Sequence, residues 1–399
     1  MNITNEILKY AEEITPKLIE IRRTIHKYPE QGFEINKTAK LVIDYLKSLE
    51  IEVINNDKTG IVGILKGRKD GKTVLLRADM DALPICELNN IEYRSQRQNL
   101  MHACGHDAHT TWLLGAATIL SNLKENINGT VKFAFQPSEE GSGGIGAQDM
   151  IKSGILENPK VDVAIAAHVF PEIEIGKIGV KSGGVTSTPS GFKIKVIGKS
   201  GHASEPSKCI DPIMILNQIY IGIQSIQRVT LPPDHPGVVS VTKMKVGQAH
   251  NIISDCGEMS GTIRTFSIDD NKKLASAIEK ISNNVANMYG ASCEFSYNIP
   301  IGSSINNKKV SDMVKNSAKK IMKSEDDIID PPIFMGGDDF YFYTEKVPSC
   351  YFFVGVANKE KGIIYPIHSD KFDLDERCLS NTSAIMAQFT IDYLKGEEI

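Results

Sequence analysis

The stretch TVLLRAD at residues 73–79 decides the fold class of most of the chain. It is almost continuously apolar, and so are TVKFAFQ at 130–136 and VDVAIAAH at 161–168. Such strands are typical of a sheet covered on both faces, because few of their positions can face water. Helical patterns separate them at 107–121 and from about Ile145 onwards. This alternation predicts an α/β domain with a mixed, mainly parallel sheet.

The regions on either side continue the alternation of helices and strands, and between them lies a segment with a different order of elements. The expected flanking elements are helices at 3–27 (interrupted at Pro16), 36–49, 307–322 and 377–395, and strands at 51–54, 61–66 and 349–356. Between them the order is strand 191–198, helix 211–228, strands 237–246 and 256–265, helix 270–289 and strand 292–298. This β-α-β-β-α-β order is ferredoxin-like. We therefore expect a large domain of residues 1–184 and 300–399, with a smaller domain inserted at 185–299.

Composition excludes several classes of protein. The chain has 399 residues, 41% of them hydrophobic, and a net charge of −4, which leaves no basic footprint for nucleic acid or an anionic membrane. No apolar run reaches the length of a membrane span, and the N-terminus does not resemble a signal or transit peptide. The seven cysteines are odd in number and contain no CxxC pair, so we expect a reduced, cytoplasmic protein without a disulfide framework.

The segment Met101–His109 (MHACGHDAH) is the densest in potential metal ligands. His102, Cys104 and His106 alternate, so an extended loop would direct all three side chains to one side. Asp107 is a candidate N-cap for the following helix. A thiolate beside imidazoles suits zinc or another transition metal. The alternative is that Cys104 is a small buried apolar residue and the histidines are structural.

Two adjacent acids follow the strand at 130–136, in the segment Gln136-Pro-Ser-Glu139-Glu140. Open α/β sheets bind ligands at the carboxyl ends of their strands. One glutamate could bind a metal while its neighbour acts as a general base on water, although a solvated acidic turn is the alternative. His168 and His368 are ambiguous singly, but at the ends of parallel strands they would converge on the same crevice.

Gly141, Gly143 and Gly146 spell GxGxxG, with Asp162 further on. A dinucleotide site needs these glycines directly after the strand, whereas two carboxylates intervene here and would repel a pyrophosphate. An NAD-dependent oxidoreductase is therefore kept only as an alternative. A non-catalytic dimeric binding protein is another.

Together, five motifs resemble the amidohydrolase branch of the aminoacylase/carboxypeptidase dinuclear metallopeptidases. That branch includes hippurate hydrolases, indoleacetyl-amino-acid hydrolases and N-acetyl-diaminopimelate deacetylases. The motifs occur in family order and span about Arg22 to His368. They are Asp79-Met-Asp81-Ala-Leu-Pro84, His102-Ala-Cys-Gly-His-Asp-Ala-His109, Gln136-Pro-Ser-Glu-Glu140-Gly141, Ala167-His168-Val169 and Pro366-Ile-His368-Ser369.

The resemblance implies two divalent metal ions, zinc or manganese first and cobalt or nickel as further possibilities. The implied metal ligands are Cys104, His106, Glu140, His168 and His368. Five donors are too many for one catalytic metal, which takes three protein ligands, and they suit two. Glu139 would be the general base and then the acid, and Asp81 would orient a ligand without binding metal. Asp79 stands where the wider family has a histidine.

In the inserted domain, Gly201-His202-Ala-Ser, Asn251-Ile-Ile and Gly261-Thr-Ile-Arg264 also match the family. By resemblance, His202 would stabilise the oxyanion in a partner subunit's site, and Asn251 and Arg264 would bind the substrate carboxylate. Gly337 is a further substrate-binding candidate, within a Gly336-Gly-Asp-Asp-Phe340 segment where the family usually has Gly-Ser-Glu-Asp-Phe. Asp338 is shorter than that glutamate, so its substrate contact would differ.

The expected function is hydrolysis of the amide bond of a small N-acyl amino acid. The expected assembly is a homodimer formed through the inserted domain, with no nucleic-acid or membrane partner. The residues leave open which acyl group and which amino acid are cleaved.

Overall fold

The computed structural model describes residues 2–56, 60–141 and 145–396. The chain divides into two compact units. The first contains residues 1–185, 304–333 and 339–399, and the second contains 186–303 and 334–338. Among the described residues, no helix is both long and apolar enough to cross a lipid bilayer.

The first unit is built on a mixed sheet whose centre is parallel. The strands of this unit are β1 (Glu52–Asn56), β2 (Gly60–Lys66), β3 (Lys69–Asp79), β4 (Asn128–Gln136), β5 (Val163–Glu174), β6 (Ile178–Gly179), β7 (Gly183–Gly184), β14 (Ile305–Asn306), β15 (Ile328–Ile329) and β16 (Ser349–Ala357). Strands β7 and β14 pair with each other outside the main sheet. The main sheet has the order β1-β2-β4-β3-β5-β16-β6-β15. Strands β4, β3, β5 and β16 are parallel neighbours. The predicted fold class is confirmed, and the carboxyl ends of these four strands share one edge.

Helices cover this sheet and enclose the core. They are α1 (Ile3–Lys27), α2 (Asn36–Ser48), α3 (His106–Asn122), α4 (Ile145–Lys152), α7 (Lys308–Ile321), α8 (Tyr341–Thr344) and α9 (Arg377–Lys395). Helix α3 is buried on all sides over residues 106–120, because α1 and α9 pack against it and it lies on β3. A helix that is buried on every face needs such an interior position. The first residue of α3 is thereby held deep in the unit.

The second unit has the ferredoxin-like order expected from sequence. Its elements are β8 (Thr188–Ile197), β9 (Gly201–His202), α5 (Pro212–Thr230), β10 (Gly237–Val246), β11 (Ile252–Ile253), β12 (Cys256–Thr265), α6 (Ile268–Met288) and β13 (Ser292–Asn298). The antiparallel sheet has the order β10-β12-β8-β13. Helices α5 and α6 pack on it, and inward residues of β8 such as Phe192, Ile194 and Val196 form the core with them.

Three details differ from the sequence expectation. Helix α1 continues through Pro16, because its buried residues, among them Ile7, Leu18 and Ile25, hold both halves against the core. Strand β5 does not end at His168 but continues to Glu174. The short segment 334–338, expected in the larger domain, groups with the second unit.

Candidate metal centre

The five donors implied by sequence all lie in the first unit. Cys104 precedes α3, His106 is the first residue of α3, and Glu140 lies four residues past the end of β4. His168 lies within β5, and His368 is in the loop that follows β16. Because β4, β5 and β16 run parallel, their loops and the start of α3 meet at one edge of the sheet.

Cys104 is the centre of this arrangement. Its Sγ lies 3.4 Å from Nε2 of His168 and 3.4 Å from Nε2 of His368. His368 Nε2 also lies 3.2 Å from Glu140 Oε1. Two sets of donors therefore converge within 4.8 Å, Cys104–His106–His168 and Cys104–Glu140–His368. Each set offers three ligands, the number typical of a catalytic transition-metal site, and Cys104 belongs to both.

His106 carries the clearest sign that a cation fits here. Among the residues that the structure describes, neither of its buried ring nitrogens finds a hydrogen-bond partner. Its Nε2 lies 3.7 Å from Asp79 Oδ1 and 3.9 Å from Glu139 Oε2, and its Nδ1 lies 3.5 Å from Asp81 Oδ1. Burial alone would lower the pKa of His106, but Asp79, Asp81 and Glu140 outweigh it and raise it to about 10. The same negative field would attract a metal ion.

The imidazole of His168 is oriented for ligation. Its Nδ1 donates to the carbonyl oxygen of Val169 at 2.7 Å, so Nε2 carries the lone pair that faces Cys104. Burial lowers the pKa of His168 to about 4, which keeps the ring neutral. Burial together with Glu140 and Glu139 raises the pKa of the Cys104 thiol well above its usual value. Only a bound cation would make the thiolate favourable at this position.

Asp81 organises the segment that carries the two glutamates. Its carboxylate oxygens accept the backbone N–H groups of Glu139 at 3.0 Å and Glu140 at 3.1 Å. Ser138, just before them, has φ of +53°, a left-handed conformation that turns the chain after β4. The two glutamates are thus oriented by their backbone, and the side chain of Glu139 remains 11% exposed.

Sequence reasoning missed a buried charge network beside these donors. Arg77, inside β3, donates to Asp79 Oδ2 at 2.6 Å, to Asp339 Oδ1 at 2.7 Å and to Gln136 Oε1 at 3.0 Å. His109 Nδ1 lies 2.6 Å from Asp79 Oδ1. The available signal was the arginine itself, because a charge within an apolar strand requires partners.

Two local expectations for the segment 101–109 are wrong. Residues 103 and 104 form a turn, not an extended loop, so His102 does not join Cys104 and His106. The His102 ring lies 6.3 Å from that of His26 instead. Gly105, with φ of +81°, is the N-cap of α3, and Asp107 is buried in the first turn and paired with Arg22 at 2.8 Å.

Four further candidates lie in the second unit. His202 and Asn251 are brought together where β9 pairs with β11, since Ala203 N donates to Asn251 O at 3.1 Å. Ser204 N donates to His202 Nδ1 at 3.2 Å, which leaves the proton on Nε2. Arg264 Nη1 donates to Met335 O at 2.9 Å, close in sequence to Gly337.

Gly337 is restricted by its neighbours in the second unit. A Cβ atom there would lie 2.8 Å from Pro189 Cγ and 3.0 Å from Ile301 Cδ1, so a larger residue would require rearrangement. Gly143, the middle glycine of the GxGxxG pattern, lies outside the described residues. Gly146 is explained by packing, because a Cβ there would collide with the carbonyl of Pro137.

Comparison with known proteins identifies the family. Residues 75–392 match the model of peptidase family M20/M25/M40. The chain is 38% identical to thermostable carboxypeptidase 1 of Saccharolobus solfataricus, over 95% of this chain and 96% of that one. It is 34% identical to hippurate hydrolase of Campylobacter jejuni, over 99% and 100%.

A solved structure agrees with these matches. The Bacillus subtilis dinuclear metal-binding peptidase of the M20 family superposes with a TM-score of 0.84 and 31% identity, covering 96% of this chain and 99% of that one. These matches confirm the resemblance seen in the sequence and the prediction of a hydrolytic enzyme. They do not support the interpretation of the GxGxxG pattern as the site of an NAD-dependent dehydrogenase. The chain belongs to peptidase family M20/M25/M40.

Proposed function

We propose that this protein is a metal-dependent amidohydrolase that cleaves the amide bond of N-acyl amino acids. The observation that carries the proposal is the convergence of two three-donor sets on Cys104, with Glu139 beside them. The relatives named carboxypeptidase and hippurate hydrolase support the reaction class, since both names describe cleavage of an amide next to a free carboxylate.

The donor chemistry fits two divalent transition metals. One would be held by Cys104, His106 and His168, and the other by Cys104, Glu140 and His368, so that the thiolate is shared. Mixed thiolate, imidazole and carboxylate ligands favour zinc and also accept manganese, cobalt or nickel. When bound, such ions supply Lewis acidity to the scissile carbonyl and to the attacking water.

Glu139 is the proton carrier in this proposal. Its carboxylate lies 3.9 Å from His106 Nε2, too far for a hydrogen bond, and it is partly exposed where a substrate could approach. Asp81 fixes the backbone of Glu139 and of Glu140, so the two side chains keep separate tasks. Glu139 takes a proton from water and returns it to the leaving amine, which is the standard division of general base and general acid work.

The second unit supplies groups suited to the substrate. Arg264 is half-buried, burial lowers the pKa of its guanidinium, and no carboxylate among the described residues pairs with it. We assign the substrate carboxylate to Arg264, with Asn251 and Gly337 as further contacts. His202 has its proton on Nε2 and is exposed, so it can donate to the developing oxyanion.

The assembly and compartment follow from the same proposal. We propose that the first unit is the catalytic domain, that the second unit forms a lid and the dimer contact, and that His202 acts in the partner subunit. All seven cysteines lie in the described ranges and are free thiols. Ligation by Cys104 needs a reduced thiolate, so we infer a cytoplasmic enzyme.

The proposal is tested by an activity screen. Acetyl-, benzoyl- and indoleacetyl-amino acids are offered to the purified protein, and release of the free amino acid is measured. Glu139→Gln serves as the control for contaminating activity. Release by the wild type and not by the variant supports the proposal. Release by neither across the panel, with metal bound, would contradict it.

A further inference from the structure

Asp79 and His109 form a buried pair beside the metal donors that the proposed reaction does not use. His109 Nδ1 lies 2.6 Å from Asp79 Oδ1, and both side chains are fully buried. The backbone N–H of Val169 donates to His109 Nε2 at 3.1 Å. Because Nε2 accepts a hydrogen bond, the ring is neutral and its single proton is on Nδ1, where it is donated to Asp79.

The Val169 peptide connects this pair to a metal donor. Its N–H donates a hydrogen bond to His109 Nε2, and its carbonyl oxygen accepts one from the Nδ1–H of His168 at 2.7 Å. The rings of His109 and His168 also meet edge to face, with centroids 4.5 Å apart. A rotation of His109 would therefore disturb the peptide and ring that together aim Nε2 of His168 at Cys104.

The other end of the pair is equally fixed. Arg77 Nη1 donates to Asp79 Oδ2 at 2.6 Å, and Thr110 Oγ1 donates to the Asp79 carbonyl at 2.9 Å. Asp79 Oδ1 lies 3.7 Å from Nε2 of His106. The Asp79 carboxylate thus faces His106. His109, which is hydrogen-bonded to that carboxylate, orients His168 through the Val169 peptide.

We propose that Asp79 and His109 are positioning residues that orient His168 for metal binding and do not bind metal themselves. This proposal rests on the proposed function, because a positioning role for Asp79 and His109 requires that the site bind metal. The rival reading is that Asp79, His106 and His109 are themselves a ligand set, since their donor atoms lie within 4.8 Å of one another. Against this, both nitrogens of His109 are engaged in hydrogen bonds.

Cobalt binding separates these readings. Metal-free wild type and the variants His109→Phe, Asp79→Asn and Thr110→Val are titrated with Co²⁺, following the thiolate-to-cobalt absorption and the number of ions bound per chain. Partners of metal ligands typically contribute ~10–100-fold to metal affinity. We expect His109→Phe to weaken binding by about that factor with the ion count unchanged. Asp79→Asn keeps an acceptor for His109 and should weaken binding less.

Thr110→Val is the matched control. It removes a buried hydrogen bond to the Asp79 backbone but leaves the Asp79–His109 contact intact, so its affinity should equal that of the wild type. Unchanged affinity in His109→Phe, or an equal loss in Thr110→Val, would overturn the proposal. Loss of one bound ion in His109→Phe would support the ligand reading instead.

A second measurement does not depend on metal or activity. Nitrogen-15 spectra of the histidine rings in the metal-free protein should report a proton on Nδ1 for both His109 and His168. In His109→Phe, or in Asp79→Asn if that variant alone folds, the His168 signal should broaden or shift. An unaltered His168 signal contradicts the positioning role. Wild type that shows these tautomers but binds no Co²⁺ contradicts the proposed function instead.

Discussion

The sulfur of Cys104 lies 3.4 Å from Nε2 of His368, although 264 positions separate the two residues. The backbone fixes this contact, because His368 N donates to the carbonyl of Ala103 at 2.7 Å. His368 has φ of +63°, a conformation costly for a residue with a side chain. Such strain persists only where the surroundings impose it and is common at functional sites.

Cys104 should matter for both metal ions, because it belongs to both donor sets. We predict that Cys104→Ala binds neither ion tightly, whereas His368→Ala weakens only the set that contains Glu140. Metal per chain, measured after dialysis against a weak chelator, checks this. If Cys104→Ala retained two ions, the shared-ligand account would be wrong.

Substitution of the two adjacent glutamates, Glu139 and Glu140, should affect turnover and metal content differently. Glu139→Gln removes the proton carrier, and general acid–base catalysis typically contributes ~10²–10⁴-fold to rate, so turnover should fall by at least that factor with metal content unchanged. Glu140→Gln should lose metal together with activity. Parallel measurement of kcat and bound metal distinguishes them. Equal loss of metal in both variants would refute this division of labour.

Asp375 should make the free energy of unfolding depend on pH in the acid range. It is buried, and although burial opposes ionisation, hydrogen bonds from Arg377 and Asn358 hold the pKa of Asp375 below its usual value. The stabilisation is therefore complete above the unfolded pKa of about 4 and is lost as pH falls towards the folded value.

Asp375→Asn tests this dependence. Loss of the charged acceptor should reduce the free energy of unfolding by about 1.5–3 kcal/mol at pH 7, and the loss should shrink below about pH 4. Urea unfolding of both proteins across this range provides the measurement. Asp44→Asn, at an exposed position, is the control and should change little. A difference that stays constant with pH would contradict the prediction.

A mixed dimer tests whether His202 acts across subunits. Glu139→Gln and His202→Ala should each be inactive as homodimers, the second because loss of one oxyanion donor costs ~10²–10³-fold in kcat. The purified heterodimer of the two variants contains one site with intact Glu139 and an intact partner His202. It should recover about half of the wild-type activity, since one of two symmetric sites is complete. A heterodimer as inactive as its parents would place His202 in its own subunit's site, and an active His202→Ala homodimer would remove His202 from the reaction.

Regular elements were accessible from sequence, and short or strained ones were not. The apolar run ending at Asp79 and the alternation in the segment that became β8 both carry their periodicity in the residues themselves. Two-residue strands such as β6 and β15 carry no periodicity, and the pairing of β6 with β16 and with β15 depends on chain segments far apart. Pro16 was expected to interrupt α1, but tertiary packing outweighed the single hydrogen bond it removes.

The site could be predicted as a set of residues but not as a geometry. The resemblance supplied five donors, and the structure brings them together, while their metal-binding role stays a prediction. The turn at 103–104, which separates His102 from Cys104, depends on how the segment enters α3 and not on its composition. The pairing of Asp79 with His109 likewise depends on the contact between α3 and β3.

The central claim is that amide hydrolysis by this chain depends on two metal ions held around Cys104. The most direct test measures metal content and hydrolysis of N-acyl amino acids by the same preparation before chelation, after chelation and after metal is restored. The account predicts about two ions per chain, loss of activity with their removal and recovery on re-addition. Full activity in the metal-free protein would contradict it, and so would a metal-loaded protein that hydrolyses none of these amides.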